Sequence, residues 1–316
     1  MNVLQYLCNT LCMSKPEIIR FCLTSPHRYK TYKIPKRNSD QKRTISHPSK
    51  ELKFIQRVLN DYLREKLPIH DCAYAYKQGL NIKDNAEVHA STKYFLKMDF
   101  EDFFPSITPD FFFTMLDKAG LEINEIDSIL LKNFIFCKAS RKSGLFLSIG
   151  APSSPLISNF VLFGFDENIK RFCAEKNINY TRYADDLTFS SNIKNSLFEV
   201  PEIVKFYLDK ETNGKIKINK RKTVFSSKAH NRHVTGVTLT NDEKLSVGRN
   251  RKRLISAMIH HFKCGKLDPT EIDKLKGLMS FVNYIEGDFY RRMIIKYGSE
   301  TIDKLNNYKQ VKRDAK

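Results

Sequence analysis

Tyr183-Ala184-Asp185-Asp186, between Ile178-Asn179-Tyr180-Thr181 and Leu187-Thr188-Phe189-Ser190, is the stretch on which the reading of this chain turns. Both flanks are rich in aromatic and β-branched residues, which favours strands, so the paired carboxylates fall at a tight turn. Two carboxylates set so close ask for a divalent cation. The motif is short, and a solvated hairpin is its plain alternative. A third carboxylate on a neighbouring strand decides between them. Tyr94-Phe95-Leu96-Lys97-Met98 alternates like a strand and delivers Asp99 at its end, followed by Phe100-Glu101-Asp102-Phe103-Phe104-Pro105. Asp99 and Asp185 are 86 residues apart, so they meet only where a fold joins two strand ends. That trio suits two-metal phosphoryl transfer, in which ions about 3.5–4 Å apart activate the attacking hydroxyl and stabilise the leaving oxygen.

Charge supports the same chemistry. The formal net charge is +19, which points to a polyanionic partner rather than to a fold. Residues 28–66, 204–233 and 247–316 carry net charges of +8, +7 and +8, leaving −4 on the remainder, where Asp99, Asp185 and Asp186 lie. Basic zones around an acidic centre suit a protein that grips phosphate backbones and brings a reacting end to metals.

A chain of 316 residues can bury a large core and divide into two or three packed subdomains. Its seven cysteines include no Cys-x-x-Cys pair, and His260-His261 before Cys264 lacks a second ligand pair, so free thiols are expected rather than zinc. No basic-then-apolar leader opens the chain, so a cytoplasmic protein is expected. Ser143 to Phe165 carries no charge, yet Gly144, Gly150, Pro152 and Pro155 break it, which indicates a loop entering a buried helix rather than a membrane span. Elsewhere the pattern predicts short helices before residue 26, strands Tyr29 to Pro35 and Arg43 to His47 around a basic turn, and a helix after Pro48-Ser49. Helices then follow near 108–118, 123–137, 155–173 and 199–211, with strands near 215–219, 222–226 and 233–247. From Arg249 the pattern is helical.

In this order the pieces resemble a known family. Asp99-Phe-Glu-Asp-Phe-Phe104-Pro-Ser, Gly150-Ala-Pro-Ser-Ser-Pro155, Tyr183-Ala-Asp-Asp186 and Asn219-Lys-Arg-Lys222-Thr look like the palm of a reverse transcriptase. Asn85-Ala86 with His89, and Val234-Thr235-Gly236, are similar to signatures of bacterial retron reverse transcriptases, over about residues 28 to 290.

The resemblance implies an α+β right-hand polymerase fold. Its parts are N-terminal helices and fingers over 1–92, a palm over 93–248 with a fingers insertion at about 107–153, and a short helical thumb and tail over 249–316. It implies two Mg²⁺ ions bridged by Asp99 and Asp185, with the Phe100 carbonyl and Asp186 as further ligands. Phe104 falls where the family places a ring under the incoming sugar; a core aromatic beside Phe103 is the alternative. Lys36 and Arg43 are assigned to the triphosphate, with Lys42 or Arg37 as substitutes. Lys222 either protonates the departing pyrophosphate or holds a phosphate. Thr235 and Gly236 are placed against primer or RNA backbone, and Asn85 and His89 either touch RNA or support structure. The family usually has Gln before Gly150, and here Ile149 cannot make that hydrogen bond.

The function implied is RNA-directed DNA synthesis on a structured non-coding RNA, starting from an internal guanosine 2′-hydroxyl and giving branched single-stranded DNA. The partners implied are that RNA and its DNA product, deoxynucleoside triphosphates, a separate effector in antiphage defence, and a host RNase H, with no membrane. Another bacterial reverse transcriptase type, a template-independent polymerase, and a non-catalytic nucleic-acid-binding subunit on a polymerase scaffold are the alternatives. The tail Asn306 to Lys316 either reads the RNA stem or is disordered.

Overall fold

The structure, a computed structural model, describes residues 1–35, 42–140 and 143–309. Lys36 and Arg37, named above for the triphosphate, lie outside the described residues, as does the end of the tail. The chain forms two compact units, residues 1–81 with 94–225 and residues 82–93 with 226–316. The stretch 82–93, read from sequence with the fingers, therefore belongs to the same unit as the C-terminal helices, and so does 226–248.

In chain order the first unit opens with α1 (Val3–Leu11), α2 (Lys15–Thr24), β1 (Tyr29–Pro35), β2 (Lys42–Pro48) and α3 (Lys50–Arg64). β1 and β2 pair antiparallel from Tyr29↔Pro48 to Pro35↔Lys42, the expected basic hairpin. Ser49 caps α3 by accepting from the Leu52 N–H at 3.3 Å, and Leu52, Ile55, Leu59 and Leu63 share its buried face. After α4 (Ile82–Glu87), which belongs to the second unit, come β3 (Tyr94–Glu101), α5 (Phe103–Ser106), α6 (Pro109–Lys118) and α7 (Glu125–Ile135). Thr108 and Pro109 start α6 as the sequence predicts, with the Thr108 hydroxyl accepting from Phe111 N–H. Next are β4 (Phe136–Lys138), β5 (Leu145–Leu147), α8 (Ser154–Val161), α9 (Phe163–Glu175), β6 (Asn179–Tyr183), β7 (Asp186–Ser191), α10 (Val200–Thr212), β8 (Lys217–Ile218) and β9 (Val224–Ser227).

One buried helix was expected over 155–173. Two form instead, because the backbone leaves helical geometry at Leu162 (φ −98°, ψ 6°). Among the described residues no helix is long and apolar enough to cross a membrane.

The palm sheet runs β6-β7-β3-β8. Its registers, Asp99↔Asp186 between β3 and β7 and Tyr183↔Asp186 between β6 and β7, assign every side chain to a face. Leu96, Met98, Phe100, Tyr180, Arg182, Leu187 and Phe189 point to the helices behind the sheet. All are buried, and the six apart from Arg182 join the main hydrophobic core with residues of α3 and α6 to α9. Asp99, Asp186 and Tyr183 point the other way. The two-residue period thus separates the core from the acidic centre.

The second unit adds β10 (Arg232–Val234), β11 (Val237–Leu239), β12 (Leu245–Ser246), α11 (Arg249–Lys263), α12 (Pro269–Ile285), α13 (Gly287–Tyr297) and α14 (Ser299–Asn307). The single strand expected over 233–247 is three short ones. Thr235 (φ 47°) and Gly236 (φ 82°) reverse the chain after β10, and the Thr240 N–H to Lys244 carbonyl bond reverses it again.

Candidate active site

Asp99 reaches the acidic centre from the end of β3, and Asp185 and Asp186 reach it from the β6–β7 turn. Ala184 takes the left-handed conformation (φ 57°) to make that turn in two residues, and the Phe100 N–H bonds to the Asp185 carbonyl at 3.2 Å. Asp99 and Asp186 therefore share one sheet face, with Asp185 in the turn beside them and within reach of the Asp99 charge.

Their electrostatics are those of crowded like charges. Asp186 is pushed up to about 6, first by the protein atoms around its carboxyl and then by the charges of Asp185 and Asp99. Asp185 is raised by its burial and then by the Asp99 charge, against a backbone hydrogen bond and the pull of Lys222 and Arg43. Asp99, only 5% exposed, accepts from Lys222 Nζ at 2.7 Å and from Asn219 Nδ2 at 3.3 Å. Burial lowers the Lys222 pKa, but the bond to Asp99 and the charges of all three carboxylates together raise it.

Among the described residues no three His, Cys, Asp or Glu side chains stand together as a ready-made metal cage. The donor set nevertheless fits a divalent ion. Hard oxygen ligands are the kind such ions take, and their mutual repulsion is what an added positive charge relieves.

Phe103 and Phe104 differ in burial, and both pack against the core. Phe103 is buried in the core, whereas Phe104 is half-buried with its ring centroid 5.3 Å from that of Phe103. Arg43 is exposed on β2, near enough for its charge to act on Asp185. The base of the hairpin is joined to the loop before α8, since the Ser46 N–H donates to the Ile149 carbonyl at 3.0 Å. Gly150 has φ +120°, and a Cβ there would lie 3.3 Å from the Ser46 carbonyl oxygen, so only glycine suits. Ile149 is half-buried beside it.

Asn85 and His89 are buried, at 1% and 0% exposure. Burial of both is in keeping with the structural alternative left open for them. Asn85 Nδ2 donates to Thr235 Oγ1 at 3.4 Å, and that hydroxyl donates to the Ile82 carbonyl at 3.4 Å. Thr235, a β-branched residue at positive φ, is strained, and these bonds hold it there. The Arg251 guanidinium reaches the Gly236 carbonyl at 3.4 Å.

Sequence reasoning missed the support behind the carboxylates. Arg182 and Asp166 are both fully buried. Arg182 Nη2 lies 2.5 Å from Asp166 Oδ2, Nε donates to Asp166 Oδ1 at 2.9 Å, and Nη1 donates to Asn159 Oδ1 at 3.0 Å and to the Ala184 carbonyl at 3.1 Å. The Tyr180 hydroxyl donates to Asp166 Oδ1 at 2.9 Å. A charged fork thus holds the backbone of the acidic turn from the core side. The signal was an arginine on the inner face of an apolar strand, and an aspartate ending the uncharged run Ser143 to Phe165.

Three carboxylates on a palm sheet, a lysine beside them and a basic hairpin in the same unit define a nucleotidyl-transferring polymerase. Residues 34–239 match the family model for reverse transcriptase (RNA-dependent DNA polymerase). Apo telomerase from Candida tropicalis shares the fold at TM-score 0.51 and 13% identity, over 89% of this chain and 58% of that one. Telomerase from Candida albicans, solved with a telomeric RNA fragment, does so at TM-score 0.50 and 12% identity, over 90% of this chain and 55% of that one. The chain therefore spans little more than half of those structures, and the likeness shows the fold alone.

Curated relatives are nearer. The Retron Ec83 reverse transcriptase of Escherichia coli is 48% identical over 89% of this chain and 91% of that protein. The Retron Ec86 reverse transcriptase of Escherichia coli is 32% identical over 89% and 86%. The chain belongs to the retron reverse transcriptase family, and its activity is RNA-directed DNA polymerisation.

Proposed function

We propose that the protein copies a structured non-coding RNA encoded beside it, starts from the 2′-hydroxyl of an internal guanosine, and leaves branched multicopy single-stranded DNA joined to that RNA. The complex serves antiphage defence with a separate effector protein, and a host RNase H trims the template. The observation that most supports this reading is the anchored Thr235-Gly236 turn, held by Asn85 in a chain 48% identical to a retron enzyme.

In the reaction, Asp99, Asp185, Asp186 and the Phe100 carbonyl would hold two Mg²⁺ ions. When bound, these supply the positive charge that favours the ionised attacking hydroxyl and the departing pyrophosphate. Arg43 grips the triphosphate through the planar, charge-assisted hydrogen bonds of its guanidinium, and Lys36 adds a point charge. Thr235 and Gly236 present backbone to the primer or RNA strand.

Phe104 closes the space beneath the sugar, where a ring excludes a 2′-hydroxyl. Phe104→Ala is expected to lower the preference for deoxynucleotides over ribonucleotides roughly 10²-fold, because a steric clash rather than a hydrogen bond is removed. Competitive single-nucleotide incorporation measures the ratio, and an unchanged ratio would return Phe104 to a packing role.

Lys222 stays protonated beside the acidic centre and stands ready to give a proton to pyrophosphate. Lys222→Met is expected to lower kcat by roughly 10²–10⁴-fold and remove the alkaline limb of the pH–rate profile. If Lys222→Arg keeps both rate and profile, the side chain holds a phosphate instead.

The overall proposal is tested by sequencing nucleic acid that co-purifies with the chain expressed with its flanking genomic DNA, before and after debranching enzyme. A short DNA joined to one RNA by a debranchase-sensitive bond is the expected result. RNA with no DNA at any Mg²⁺ concentration would favour a binding subunit.

A further inference from the structure

Tyr76 holds a backbone conformation that its own chemistry does not explain. It has φ +62°, a left-handed backbone that an aromatic side chain rarely adopts, and it is 54% exposed. Nothing in a surface turn requires tyrosine there, since Gly or Asn would adopt that conformation more easily.

The neighbouring chain shows where the residue is delivered. Residues 72–74 run beside β6 as an unpredicted parallel edge. The Arg182 N–H donates to the Cys72 carbonyl and the Tyr74 N–H to the Arg182 carbonyl, both at 2.8 Å, around the bridge Ala73↔Arg182. Asn159 Nδ2 then holds the Ala75 carbonyl at 2.8 Å. Continuing that register by two residues brings the chain level with Ala184, so the reversal at Tyr76 falls next to the acidic turn, within reach of the Asp185 charge. Asp185, Tyr183 and Arg43 are all close enough for their charges to act on the Tyr76 hydroxyl.

We propose that the Tyr76 ring is a wall of the site for the incoming deoxynucleoside triphosphate, packing on the nascent base pair between Arg43 and the acidic turn. The strained backbone is retained because it aims the ring into the site, the pattern expected where function holds a residue against its preference. This inference rests on the assignment of Arg43 to the nucleotide.

The test is steady-state incorporation by Tyr76→Asn, Tyr76→Phe and Arg43→Ala, with melting temperatures. Tyr76→Asn relieves the backbone but removes the ring. It should melt no lower than the parent, raise KM for deoxynucleotides roughly 10-fold, the size of a lost base-stacking contact, and change kcat less than threefold. Tyr76→Phe should recover most of that loss. An unchanged KM in Tyr76→Asn while Arg43→Ala raises KM overturns the role of Tyr76 alone. An unchanged KM in Arg43→Ala shows instead that the nucleotide assignment has failed. Equal losses in the Phe and Asn variants would place the contact on the hydroxyl and overturn the stacking role.

Discussion

Asp185→Asn with Asp186→Asn is expected to abolish DNA synthesis, to leave RNA binding intact, and to raise the melting temperature of the metal-free protein by about 2–4 °C at neutral pH, as roughly 1 kcal/mol would. Synthesis is lost because an amide cannot replace an ionised ligand in charge compensation. RNA binding survives because the basic zones are untouched. The stability gain follows from the direction of the carboxyl shifts. In the folded chain Asp186 is pushed up to about 6, and Asp185 is also raised above the ordinary carboxylate range. Below about pH 4 both states are protonated, and the groups cost nothing. As pH rises from about 4 to about 6 the unfolded chain ionises freely while the folded one resists, so stability is lost across that window and the loss levels off above it. Asn removes the loss, and the difference between variant and parent should vanish near pH 4. Calorimetry in EDTA at pH 4 and pH 8 measures it; a variant that melts lower than the parent at pH 8 would contradict the crowding of charge at this turn.

Arg182→Met is expected to destabilise the fold by about 3–5 kcal/mol, since it leaves the Asp166 carboxylate buried without its partner. Much of that loss should return in Arg182→Met with Asp166→Asn, where the amide oxygen still accepts from the Tyr180 hydroxyl. Urea titration of the two singles and the double gives the coupling energy directly. The Ala184 carbonyl still lacks its donor in the double variant, so the refolded enzyme should synthesise DNA more slowly and need more Mg²⁺. Single changes costing under about 1 kcal/mol would show that water penetrates the pair.

The elements legible in the sequence were those whose cause is local. The hairpin of β1 and β2, the amphipathic α3 and the carboxylates of β3 and the β6–β7 turn follow from alternation, caps and turn chemistry within a few residues. What stayed hidden depends on partners far along the chain. Asn85 meets Thr235 across 150 positions, so no local pattern tells a buried amide from an exposed one. Arg182 finds Asp166 only once α9 packs behind β6. The positive φ of Tyr76 has no sequence signal at all, because tyrosine does not favour it. The break at Leu162 was missed because leucine is a good helix former, and packing overrode its propensity.

The two faces of the palm sheet have different tolerance to change. The Arg182 network holds the acidic turn from the core side, through hydrogen bonds to backbone and to Asn159 and Asp166, and the Phe100 backbone N–H adds a bond from β3. The bonds that hold the turn's backbone come from that core-side network and from the sheet itself. Variation at Tyr76, Phe104 or Ile149 therefore alters what the surface admits while leaving the carboxylates where they are. For directed evolution toward modified nucleotides, libraries belong on the cleft face, with residues 159, 166, 180 and 182 held constant as the mould against which each new surface is cast.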